Sequence, residues 1–146
     1  MAINDIKINE PQTNERKVDE LRVNDPEIVA ELQALYPRYE AALVGNDVET
    51  LTGMFWSSPH AVRMGLAENL HGIEEISAFR KGRSPLNLAR SIRRIDIVTF
   101  GRDFGSITLE FERTVDGKLV RGRQSQVWAR LPEGWRIVAA HVSLLP

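Results

Sequence analysis

The stretch "GRQSQVWARLPEGWRIVAAHVS", Gly122 to Ser143, decides the fold. Two runs rich in Val, Ile and Trp flank Pro132-Glu133-Gly134, the pattern of a β-hairpin. The turn reads as a three-residue loop, with Pro132 and Glu133 in a type I turn and Gly134 left-handed. That register sets Leu131 opposite Trp135, Val127 opposite Ala139, Ser125 opposite His141 and Arg123 opposite Ser143. The other face then carries Gln124, Gln126, Trp128, Val138, Ala140 and Val142. Antiparallel sheets with one wet side show one apolar and one polar face, so two partly apolar faces predict two coverings, helices on one side and a second copy of the chain on the other. This reading points Arg123, Ser125, His141 and Ser143 toward the helices, into a cavity, and places Trp128 and Val142 on an outer face buried in a homodimer. A slip of one residue would exchange the faces.

Upstream, "SIRRIDIVTFG", "FGSITLEFERTVDG" and "KLVRGRQSQVWARL" continue the strand pattern, and Asp116-Gly117 marks a tight hairpin. Helices precede them. At "NDPEIV" Asp25 suits an N-cap, Pro26 the first helical position and Glu27 the positive end of the helix dipole. Ile28, Leu32, Leu35, Tyr36, Tyr39 and Leu43 then recur on one helical face, across Pro37, until Gly45 and Asn46. "NDVETLTGMFW" predicts a short second helix capped by Asn46 or Asp47, "HAVRMGLAENLHG" a short strand and turn, and "IEEISAFRKGR" a third helix ending in Arg80, Lys81 and Arg83. The fold class is α+β, with three helices folded onto one face of a curved antiparallel sheet. Residues 1–24 are polar without a sustained apolar period and are expected to form a flexible arm, leaving 25–146 as one domain.

With 146 residues the chain is large enough for a core that needs no staple. Balanced charge, 19 basic against 20 acidic residues, argues against a nucleic-acid binder that works by phosphate neutralisation. The sequence has no cysteine, which excludes disulfides and thiolate chemistry. No apolar leader or long apolar span is present, so a cytoplasmic protein that does not enter membranes is expected.

Several polar residues are candidates for a site. Arg63 stands in "AVRMG" among small and apolar residues; a buried guanidinium there must be paired, either with a carboxylate such as Glu68 or Glu110 or with a carboxylate ligand. Arg80 and Arg83 are placed to join it at a cavity mouth. Tyr39, on the buried stripe of the first helix, is either a core residue or a proton donor. His141 opposite Ser125 suggests a base, but no third member or nucleophile-elbow motif accompanies the pair. Trp56, leaving the second helix, either caps the cavity or fills the core. His60, His71 and His141 lack metal-ligand spacing, so neither a metal nor another cofactor is expected.

Taken together, "FW", "VRMG", "AFRKGR", "FGRDFGS" and the opening stretch give residues 25 to 146 a resemblance to the AtzH-like family, also labelled oxalurate catabolism protein HpxZ, in the SnoaL-like branch of the nuclear transport factor 2-like superfamily. The resemblance implies a cone-shaped dimer associated with amidase-signature enzymes in bacterial catabolism of urea-like and ureide nitrogen compounds. It also implies an activity proposed for one branch, hydrolysis with decarboxylation of 1,3-dicarboxyurea to allophanate. That branch's proposed catalytic tyrosine and arginine match Tyr39 and Arg63; Arg80, Arg83, Arg123, Ser125, His141 and Trp56 are the further residues expected to meet substrate. Two functions are therefore expected of the chain: a cofactor-independent amidohydrolase, or a non-catalytic dimeric binding protein that serves an amidase.

Overall fold

A computed structural model describes residues 21–146. Three helices and six strands follow in the order α1 (Pro26–Val44), α2 (Val48–Met54), β1 (Val62–Met64), β2 (Asn69–His71), α3 (Ile73–Gly82), β3 (Ser91–Phe100), β4 (Phe104–Val115), β5 (Lys118–Leu131) and β6 (Gly134–Leu144). Local chemistry sets the helix ends. Asp25 accepts a hydrogen bond from the Glu27 amide, and Asp47, the second of the two expected caps, accepts one from the Thr50 amide. α1 continues through Pro37 to Val44. Of the expected arm, residues 1–20 lie outside the described residues. Residues 21–24 run beside the end of β3, where Val23 bridges Phe100 and the Asn24 amide donates to the Thr99 carbonyl.

The strands form one sheet in the order β2-β1-β6-β5-β4-β3. β3 to β6 are the expected antiparallel run, and the segment expected as a single strand and turn is a small hairpin whose β1 joins the sheet parallel to β6. At the β4–β5 hairpin Asp116 and Gly117 both have positive φ, 50° and 76°, the geometry of a type I′ turn. The β5–β6 turn is one residue tighter than expected. Leu131 pairs with Gly134, and a bulge between Val127 and Trp128 restores the anticipated pairs Val127–Ala139, Ser125–His141 and Arg123–Ser143.

The facing of that hairpin is the reverse of the expectation. Gln124, Gln126 and Trp128 are buried on the helix side, whereas Arg123, Ser125 and His141 are exposed on the opposite side. The cause lies in β4, whose Ile107, Leu109 and Phe111 alternate with exposed Thr108 and Glu110 and carry the core. Ile107 pairs with Gln126, Leu109 with Gln124 and Phe111 with Gly122, so the glutamines share the apolar side. Trp128, also expected outside, is fully buried, and Val142 packs against the core. Gly122 has a packing reason to be glycine: a Cβ there would run into the Phe111 ring. α1 is tied across to the sheet by Trp135, whose indole donates to Glu31 at 2.7 Å.

Candidate functional site

Between the helices and the inner face of the sheet lies a cavity of about 170 Å³. Leu43, Leu66, Phe79, Leu88, Phe111 and Val142 make its apolar wall; Tyr39, Arg63, Glu68, Arg83, Arg90, Arg113 and Gln124 supply its polar groups. Such a space, mostly apolar with convergent polar groups, is the common form of a small-molecule site.

At one end α1, β1 and α3 meet. The Arg80 guanidinium, 1% exposed, donates to Tyr39 Oη at 3.1 Å. Arg80 Nε and Nη1 have no hydrogen-bond partner among the described residues, nor do Nε and Nη2 of Arg83. Burial and the Arg63 charge both push the Arg80 pKa down. Arg83 falls to about 10, through burial first and then its cationic neighbours Arg80 and Arg63. Arg63 is the one arginine here with a carboxylate: its Nη1 donates to Glu68 at 2.9 Å, and its guanidinium lies 5.1 Å from the Phe79 ring centre. Glu68 is one of the two protein carboxylates expected as its partner. Gly65 leaves room for that pair, since a Cβ would collide with the Glu68 carboxylate.

The other end is built on Tyr36, Glu40, Arg90 and Gln124. Arg90 grips Glu40 through Nε and Nη2, both at 2.8 Å, donates to Gln124 at 3.0 Å and stacks 4.4 Å from the Phe111 ring centre. Burial opposes its charge, but the hydrogen bonds and charge of Glu40 outweigh it and raise its pKa. Tyr36 donates to Glu40 at 2.7 Å; burial and that carboxylate push its pKa far upward, so this hydroxyl stays protonated. Gln126 accepts the Trp128 indole N–H at 3.0 Å. The inward glutamines therefore satisfy buried polar partners.

The two tyrosines of α1 differ in what their hydroxyls do. Tyr36 spends its proton on Glu40. Tyr39 accepts from Arg80, which leaves its own hydrogen to be given into the cavity, with a cation beside the oxygen to stabilise charge as it develops.

Of the site residues expected from sequence, Tyr39, Arg63 and Arg83 line the cavity and Arg80 backs Tyr39. Arg123, Ser125 and His141 do not join them, because their strand positions face away from the helices. Ser125 lies beside Thr108, 3.4 Å between hydroxyls. Trp56 is partly buried, packs against the core and lies 6.1 Å from the His60 ring centre, outside the cavity wall. Glu40, Arg90 and Arg113 were not anticipated; Gln124 was expected to face inward only if the two faces of the hairpin were exchanged, as they are. Among the described residues no group of three His, Cys, Asp or Glu side chains could hold a metal, and no helix is long and apolar enough to cross a membrane.

A family model, AtzH-like, matches residues 21–146. The chain belongs to the AtzH-like family. Among solved structures, a protein of unknown function of the DUF3225 family from Pectobacterium atrosepticum SCRI1043 is 49% identical, with 85% of this chain and 95% of that one covered and a TM-score of 0.81. A cystatin-like fold protein from Burkholderia xenovorans LB400 is 48% identical over 86% of this chain and 99% of that one, at a TM-score of 0.79. A nuclear transport factor 2-like superfamily protein from Salmonella enterica serovar Typhimurium LT2, 22% identical over 83% of this chain and 93% of that one, shares the fold at a TM-score of 0.67. No curated protein matches the sequence. The α+β, nuclear transport factor 2-like fold expected from the sequence is thus the fold of the chain.

Proposed function

We propose that the cavity is the active site of a cofactor-independent amidohydrolase/decarboxylase for a small carboxylated urea, of the 1,3-dicarboxyurea to allophanate type, in bacterial breakdown of nitrogen compounds. The observation that carries this reading is Tyr39, its oxygen held by Arg80 and its proton free, inside a cavity where guanidinium groups outnumber carboxylates. Unpartnered buried arginine nitrogens favour an anionic ligand over a neutral one. Arg63 uses one nitrogen on Glu68, which leaves part of its fork for a substrate carboxylate.

In the proposed step the bond between one carboxylate carbon and its urea nitrogen breaks. The electron pair stays on nitrogen, carbon dioxide leaves, and the nitrogen takes the Tyr39 proton, which solvent replaces. One dianion and one proton give one monoanion and one carbon dioxide. The chemistry needs little beyond positioning and a single acid.

A second reading has its own support, because groups that bind anions outnumber groups that transfer protons: a non-catalytic accessory protein that holds the same anion for an amidase-signature enzyme. Carbon dioxide release by the purified protein, with spontaneous decay subtracted and oxalurate run beside dicarboxyurea, separates them. Turnover supports the enzyme, and binding without turnover supports the accessory protein.

In both readings the chain pairs with a second copy through the outer sheet face. Support comes from the row Val98, Ser106, Val127, Ala139 and Val62, which register aligns across the strands on the side away from the helices.

A further inference from the structure

The arginines of the cavity divide into two ends, and one of them has no assigned task. Arg113 lies on β4, two residues beyond Phe111 and on the same side of the strand, and lines the cavity with its Nε buried and without a partner among the described residues. Arg63 enters from β1. In the sheet β6 and β5 stand between β1 and β4, so Arg63 and Arg113 reach the cavity from opposite sides. Arg83 closes α3, the helix that packs on β1, and so belongs to the Arg63 end. Arg90, whose guanidinium stacks on Phe111 two residues before Arg113, is already held by both oxygens of Glu40. Arg113 is therefore the unneutralised cation of that end.

We propose that Arg113 binds the second carboxylate of a two-headed anion and so makes the cavity selective for dianions over monoanions of the same length. The proposal rests on the cavity being the ligand site of the proposed function, and it deepens that reading by dividing the labour. Chemistry occurs at the Tyr39 and Arg63 end, where a proton is available. Arg113 grips the carboxylate that is kept, which fixes which of two chemically equivalent groups is lost. On β6, between β1 and the strands that carry Gln124 and Arg113, Val142 offers an apolar wall that contacts the linker rather than its charges.

The test uses stable probes and needs no turnover. Glutarate has three atoms between its carboxyl carbons, as dicarboxyurea does, and butyrate is the same chain with one head. Calorimetry with each probe is run on wild type, Arg113→Met and Arg113→Lys, with folding checked by circular dichroism. The expected result is wild-type preference for glutarate by roughly 10- to 10²-fold, the worth of a charge-assisted hydrogen-bonded contact. In Arg113→Met the preference disappears because glutarate falls to the level of butyrate. Arg113→Lys, which keeps the charge but not the fork, should retain part of it, so a poorly folded methionine variant does not leave the question open. An undiminished preference in either variant, or equal binding of both probes by wild type, overturns the role of Arg113. Failure of the proposed reaction looks different: no carbon dioxide release, with the glutarate preference intact.

Discussion

Replacing Arg83 by methionine should make the ligand-free protein more stable. Arg83 sits at the C-terminal end of α3 with Nε and Nη2 buried and unpartnered among the described residues, near Arg80 and Arg63. Its pKa is lowered to about 10 by burial and by those cations. A drop of that size weighs about 3 kcal/mol against the charged form. The side chain is only half-buried, so solvent screening reduces this to about 1–2 kcal/mol. The folded state binds this proton less readily than the unfolded chain. The destabilisation is thus fully present below about pH 10, neutral pH included, and fades only as pH rises from there toward the ordinary arginine range. Methionine keeps the apolar stem but removes a cation from the C-cap of α3, which takes back about 0.3–1 kcal/mol. The net gain is about 1 kcal/mol, or roughly 2–4 °C in melting temperature for a domain of this size. Scanning calorimetry at pH 7 without added anions reads it. Glutarate should reverse the order: at about a hundred times its Kd it stabilises wild type by about 2.7 kcal/mol, and the variant by less. A variant that melts lower than wild type without ligand would mean that Arg83 has a stabilising partner, and the anion-site argument would lose one of its supports.

Two further predictions test the packing and the assembly. Gly122→Ala should destabilise by about 1–3 kcal/mol, because the new methyl meets the Phe111 ring, whereas Gly53→Ala in α2, where nothing lies near the added carbon, should stabilise by about 0.5–1 kcal/mol; equal melting shifts would refute the inner placement of Gly122. Sedimentation at micromolar concentration should show a dimer, and Val127→Glu on the outer face should give a folded monomer; a monomeric wild type would remove the second copy from that face.

Much of the architecture was legible because it depends on local chemistry. Asp25-Pro26 and Asp47 announced the starts of α1 and α2, and Asp116-Gly117 announced the β4–β5 turn. The facing of β5 was misread because the hairpin with β6 was read alone, without β4 on its other edge. The better signal was present in the same residues. A two-residue turn at Asp116-Gly117 pairs Val115 with Lys118, and counting back sets Gln124 opposite Leu109 and Gln126 opposite Ile107, whose apolar alternation is unambiguous. The place of Tyr39 and Arg63 on one cavity wall follows what the family resemblance, and the oddity of an arginine in an apolar run, led one to expect. Glu40 and Arg90 were not: 50 positions separate them, and each alone is an ordinary surface-type residue. Only the fold, by bringing α1 against the segment before β3, turns them into a buried pair. The same holds for Arg113, whose chemical meaning comes from a cavity edge that strand order creates.

The most direct test of the account is carbon dioxide release from 1,3-dicarboxyurea by wild type and by Tyr39→Phe, with enzyme-free decay subtracted. The substitution keeps the ring in the core and removes only the hydroxyl that Arg80 holds. The account predicts turnover by wild type and a fall in kcat of roughly 10² or more in the variant, with glutarate binding little changed. Equal rates for the two proteins would contradict Tyr39 as the proton donor, and no release above background by wild type would contradict the reaction itself.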